Sequence, residues 1–205
     1  GAPGRAVAWA SPVGADVGDS VGADGAPGPA GDLSLASFVA GLGVEADFRA
    51  AREGDLAKIN EMLVASKDFT LGVPIPPVTV DGITADDGRV LLLGRVRDRL
   101  GDLGPSVVVA LAKDGSDCVV EAFVISCPAM GKGVETRAMR QIAAHARAMD
   151  ADRIVVGYRD TGRNHAAIDF LRSPTAGGTA ETPDGATLDL LVRAETTDTE
   201  AVITS

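Results

Sequence analysis

The stretch that most constrains this chain is Ser126 to Met149, SCPAMGKGVETRAMRQIAAHARAM, which directly follows the apolar run CVVEAFVI. A short apolar run closed by a turn reads as a buried strand, and beyond the turn Val134, Ala138, Ile142 and Met149 fall roughly on one side of a helix. The glycines Gly131 and Gly133 stand between the two. At such a junction backbone amides can crowd toward a ligand, while the helix start adds unpaired N–H groups and partial positive charge. It suits a pyrophosphate or a phosphopantetheine. Glycines placed for steric reasons alone would read the same way, so the context has to decide.

That context is a mixed α/β order. Residues 32–43 have helical spacing between an acidic start and a glycine stop, and VEADFRAA alternates as a strand does. Leu56, Ile59, Met62 and Leu63 make the stripe of a helix within residues 52–69. Pro74, Pro76 and Pro77 forbid regular pairing, so residues 72–88 read as a loop or a second short element. RVLLLGRVRD, SVVVALAKDG and DCVVEAFVIS then predict an antiparallel meander of three strands, with RLGDLGP as a separator. After the glycine turn and its helix, DRIVVGYRD is a strand and GRNHAAIDFLRS a last helix. PTAGGTAETPDG reads as a flexible crossing into the strand ATLDLLVRAE and a weak AVITS. No internal repeat is visible.

At 205 residues and 45% hydrophobic the chain can bury one ordinary core. Residues 1–31 are mostly Gly, Ala, Pro, Asp and Ser and read as a flexible arm, leaving 32–205 as the domain. The start lacks the apolar block of an export signal, no run is long enough to span a bilayer, and two cysteines without paired spacing or histidine partners make neither a disulfide framework nor a metal site. A cytoplasmic protein without membrane contact is expected. A formal charge of −10 makes nucleic acid an unfavourable partner.

The order of elements and both glycines resemble the GNAT acyltransferase superfamily, whose donor-binding motif R/Q-x-x-G-x-G/A falls at this junction. Pro128 stands in place of the leading Arg or Gln, which weakens the hold on the pyrophosphate of coenzyme A. Within the superfamily the chain resembles the C-terminal GNAT-like domain of FkbH-like proteins, which handle acyl carrier protein thioesters in polyketide and related natural-product pathways. The words that carry this are FRAAREGDLAKINEMLVASKDFTL, GRVRDRLGDLG, ISCPAMGKGVE and YRDTGRNHAAIDFL, spread over residues 32–172. The resemblance implies a mixed, mostly antiparallel central sheet flanked by helices, and transfer of an acyl group from a carrier-protein phosphopantetheine thioester, or from acyl-CoA, to an amine or other nucleophile without a metal.

On that resemblance the backbone of Val124, Ile125 and Ser126 would meet the thioester, and Gly131, Lys132, Gly133 and Val134 would hold the phosphate or pantetheine. Asn164 matches an asparagine at the start of the superfamily's last helix that bonds the pantetheine or caps the helix. Glu121, an acid within an apolar strand, occupies the place of an acidic residue in the FkbH-like pattern and reads as general base. An ion pair with Arg95 or Arg97 on the neighbouring strand reads equally well. Cys127, at the mouth of a helix, would have extra thiolate character and could carry the acyl group covalently; it also reads as a small buried hydrophobe. Tyr158 could protonate a leaving thiolate or pack as a wet-tipped aromatic, and His165 could act as a base near neutral pH. Phe170 and Leu171 stand where many GNAT enzymes have an acid tyrosine. Arg137 and Arg140 could meet the acidic surface of a carrier protein, or form a solvated helix face. Two classes of function remain: an acyltransferase, and a non-catalytic module that binds a carrier protein or its thioester.

Overall fold

The computed structural model describes residues 41–79, 88–173, 179–181 and 187–194, all within the compact unit Leu33–Ser205. The arm expected over 1–31, most of the helix expected over 32–43 and the weak AVITS segment lie outside the described residues.

Among the described residues one sheet carries seven strands in the order β1-β2-β3-β4-β5-β7-β6. They are β1 (Glu45–Ala50), β2 (Arg89–Asp98), β3 (Gly101–Asp114), β4 (Asp117–Ile125), β5 (Arg153–Tyr158), β6 (Thr179–Glu181) and β7 (Thr187–Ala194). β1 to β4 run antiparallel, β5 is parallel to β4 and to β7, and β6 closes the edge antiparallel to β7. The α-helices whose full span lies among the described residues are α1 (Leu56–Ala65), α2 (Val134–Ala148) and α3 (His165–Arg172). This is the mixed, mostly antiparallel sheet flanked by helices that the resemblance implies.

Strand alternation sends side chains to two faces. Ile154, Val156 and Tyr158 of β5 join Phe123 and Ile125 of β4 in the core that holds Ala138, Ile142 and Ala146 of α2 and Ile168 and Leu171 of α3. On the other face Ile59 and Met62 of α1 bury Leu93, Val108 and Val124. The apolar stripes read in the sequence are therefore the ones that seat α1 and α2.

Three boundaries differ from expectation. RLGDLGP is not a separator: the turn is confined to Arg99 and Leu100, and β3 begins at Gly101, with register shifts in the β2–β3 ladder that accommodate Pro105. The apolar pattern of residues 52–69 outruns its helix, because α1 ends at Ala65 and Ser66 is extended. Within the crossing, Thr179–Glu181 forms β6.

Candidate functional site

The site begins where β4 and β5 part. Asp117 and Arg153 form a two-pronged ion pair, 2.7 and 3.0 Å, at the first pair of the parallel register, and pairing ends at Val120 opposite Val156. β4 nevertheless continues to Ile125 and β5 to Tyr158. At the same point β4 bulges: Leu111 pairs with Val120 and Ala110 with Ala122, so Glu121 is the extra residue. A bulge bends its strand and re-aims a side chain. Glu121 and Gly157 are thus the first residues beyond the last β4–β5 pair, one on each strand.

The chain's own segment Phe69–Leu71 closes the far end of this gap. Phe69 O accepts the Ile125 N–H at 3.2 Å and Leu71 O accepts the Arg159 N–H at 2.8 Å, while Phe69 and Leu71 are buried. Ser126 turns the other way and donates to Ser106 O at 2.8 Å; Val124 pairs with Val108 on the same β3 side. Of the three residues expected to offer amides to a thioester, only Ile125 faces the gap, and Phe69 O already occupies it. By alternation the amide of Phe123 shares that edge, a residue the sequence reading passed over.

Asn164 is fully buried and all its hydrogen-bonding capacity is used internally. Its Oδ1 accepts from Thr161 N and Oγ1, both at 2.9 Å, and its Nδ2 donates to Thr70 O at 3.0 Å and Arg159 O at 2.9 Å. The expected pantetheine contact has no free group on this side chain; Asn164 instead ties the Phe69–Leu71 segment to the end of β5. Tyr158 is buried, and its hydroxyl accepts a hydrogen bond from Arg172, whose guanidinium lies 5.3 Å from the ring centroid. It packs on the face opposite Glu121. His165 is exposed at the first position of α3.

In the glycine turn a single 3-10 turn, Cys127–Ala129, precedes Met130, and Gly133 caps α2 in the left-handed conformation, φ 75°. Gly131 is also left-handed, and its N–H donates to Oε1 of the buried Glu135. Lys132 donates to Asp98 at 2.7 Å; this bond, with the Leu100 and Gly101 amides, holds the Asp98 carboxyl below the usual carboxylate range. The turn therefore carries a carboxylate on one of its amides, and its lysine is engaged. An acid in the first turn of a helix is the ordinary complement to its N-terminus, and that signal marks Glu135 in the sequence. Arg137 donates to Val44 O and fastens α2 to the approach of β1; Arg140 is exposed.

Cys127 departs from expectation in its acidity. It opens the 3-10 turn rather than α2, is exposed, and its thiol donates to Asp68 Oδ2 at 3.3 Å. That hydrogen bond raises its pKa above the usual thiol value, and Arg163, 4.0 Å from Asp68, offsets little of this. Extra thiolate character is absent because an acceptor carboxylate, not a helix start, is the nearest charge.

Glu121 pairs with neither Arg95 nor Arg97. The meander register carries those arginines toward the Ile125 end, where they pair with Asp102 and Glu45. Its partner is Arg89, at 3.2 Å. Both line a cavity of about 430 Å³ between residues 73–79 and the sheet, walled by Ile75, Pro77, Leu91, Ala110, Val119 and Gly157. Among the described residues no cluster of His, Cys, Asp and Glu fit for a metal is present, and no helix is long and apolar enough to cross a membrane.

No protein-family model and no curated protein matches the chain. Among solved structures it is similar to an aminoglycoside acetyltransferase in complex with coenzyme A, at 17% identity and TM-score 0.44 over 70% of this chain and 92% of that one. It is also similar to an acetyltransferase of Trypanosoma brucei, at 16% identity and TM-score 0.43 over 62% of this chain and 89% of that one.

Proposed function

We propose that the chain is a GNAT-type acyltransferase that moves an acyl group from a phosphopantetheine thioester to an amine. One observation carries this. The end of β4–β5 pairing, the bulge at Glu121 and the mouth of an apolar cavity coincide, so a carboxylate stands beside an open strand edge. A thioester arm laid along that edge meets the Phe123 amide, which can hold the carbonyl oxygen as charge develops. Glu121 takes the proton of the attacking amine from within the cavity. Holding both reactants at one strand gap supplies the positioning that a transfer between them needs.

A carrier protein is the preferred donor. Pro128 has no N–H for a diphosphate, and the Glu135 carboxylate already sits on the Gly131 amide, so the turn is better suited to the single phosphate of a carrier arm than to the heavier charge of coenzyme A. The FkbH-like words in the sequence point to the same donor and to natural-product biosynthesis.

The test is to incubate the protein with a phosphopantetheinylated carrier protein bearing candidate acyl groups, and in parallel with acyl-CoA, and to follow all components by intact-protein mass spectrometry with a pool of amines. Acyl loss only in the presence of an amine is expected, with a drop of about 10²–10⁴ in kcat for Glu121→Gln at unchanged stability. A stable carrier complex without acyl movement under any acceptor would overturn the enzyme reading and leave a binding module.

A further inference from the structure

The polar chemistry of the 430 Å³ cavity narrows what can occupy it. Pro74, Pro76 and Pro77 have no N–H to offer, and both polar backbone groups of Val78 are taken by the α1 side chain Asn60, whose Nδ2 donates to Val78 O at 3.0 Å and whose Oδ1 accepts Val78 N–H at 2.8 Å. That clamp also holds the proline-rich wall against α1. Ile75, Leu91, Ala110 and Val119 complete an apolar enclosure of a size usual for small-molecule sites. Among the described residues the polar side chains on its lining are Thr79, Glu121 and Arg89; the two charged ones are adjacent at 3.2 Å, with Glu121 at the strand gap, and Glu121 is not the whole of Arg89's surroundings.

The geometry points to an α-amino acid with an apolar side chain as the acyl acceptor, an inference that rests on the acyl-transfer reading of this site. Its two adjacent charges match the pair: the amino group lies on Glu121, the carboxylate on the Arg89 guanidinium, and the side chain along the proline wall. The ammonium first gives a proton to Glu121, which passes it to solvent at the cavity mouth; the neutral nitrogen then attacks the thioester carbonyl, the C–N bond forms and the C–S bond breaks, and the second proton shed by the nitrogen goes by way of Glu121 to the sulfur, which leaves as a thiol. The product is an N-acyl amino acid.

The experiment compares leucine, leucinamide, 3-methylbutylamine and aspartate as acceptors at one fixed thioester donor, with wild type and Arg89→Gln, by product mass. Binding of leucine and leucinamide to the donor-free protein is followed by saturation-transfer NMR. The expected result is kcat/KM for leucine at least tenfold above leucinamide and aspartate, with Arg89→Gln erasing the preference over leucinamide chiefly through KM. Leucinamide used as well as leucine, aspartate used as well as leucine, or a preference that survives Arg89→Gln overturns the inference. The wild-type comparison decides even if the variant folds poorly. Carboxylate-dependent leucine binding without transfer from any thioester sinks the acyl-transfer reading while the acceptor pocket stands; transfer to amines without carboxylate preference does the reverse.

Discussion

Replacing Asn164 by alanine tests whether this residue is a structural hub rather than a donor contact. Its side chain makes four internal hydrogen bonds from a fully buried position. Thr161 is exposed and can turn to water, so its two bonds count for little. The carbonyls of Thr70 and Arg159 lose a buried donor, and each such stranding costs about 1–3 kcal/mol. The expected loss is about 3 kcal/mol, roughly a hundredfold in the folding equilibrium, read from the urea midpoint at constant slope. Asn164→Asp sharpens the test: an ionised carboxylate would face two carbonyl oxygens, so at neutral pH it should be worse than alanine. Burial raises that acid's pKa in the folded state, so the variant gains stability as pH falls and the carboxyl becomes a donor again. A loss under about 1 kcal/mol for Asn164→Ala, or wild-type stability of Asn164→Asp at pH 7, would refute the assignment.

Two further predictions follow from the same region. Gly72 has φ +72° and a Cβ there would lie 2.2 Å from the Arg159 carbonyl oxygen, so Gly72→Ala should destabilise by at least about 2 kcal/mol in urea unfolding; wild-type stability would contradict the geometry. Asp68→Asn removes the chief cause of the raised Cys127 pKa, so Cys127 should titrate lower and alkylate several-fold faster at pH 7.5, whereas Cys118, buried and pushed up to about 11, should stay unreactive until the chain unfolds; an unchanged Cys127 rate would sink this account.

Local pattern made much of the fold legible. The α1 and α2 stripes, the meander and the glycine turn follow from periodicity and breakers that act over a few residues. What stayed hidden depends on register. The bulge that re-aims Glu121 is one residue of slip between β3 and β4, and the partner of Glu121 is Arg89 rather than Arg95 because that register sets which ends of β2 and β4 come together. Phe69 reads as the tail of a helix, yet it fills a strand gap some sixty positions later in the chain. The place of Asn164 before α3 is legible in the sequence, but its partners at Thr70 and Arg159 are set by tertiary contacts. Chemistry-bearing residues were thus easier to find than the groups that already occupy them.

The occupied state of the glycine turn bears on which donor it can hold. Glu135 is buried at the first turn of α2 with Oε1 on the Gly131 amide, so its charge is only partly screened. A diphosphate brought to this turn would place negative charge within about 6 Å; at an effective dielectric of about 40 the repulsion is about 1.4 kcal/mol per unit charge, or tenfold in Kd. Glu135→Gln keeps an oxygen for the Gly131 N–H and removes only the charge, so the fold should be retained while coenzyme A, whose diphosphate carries about two charges, binds between about tenfold and about a hundredfold tighter by calorimetry. A carrier-protein arm, with a single phosphate charge, should gain less. Unchanged or weaker coenzyme A binding in a folded Glu135→Gln protein would mean that the turn does not receive the donor phosphate, and would overturn the charge argument for a carrier protein.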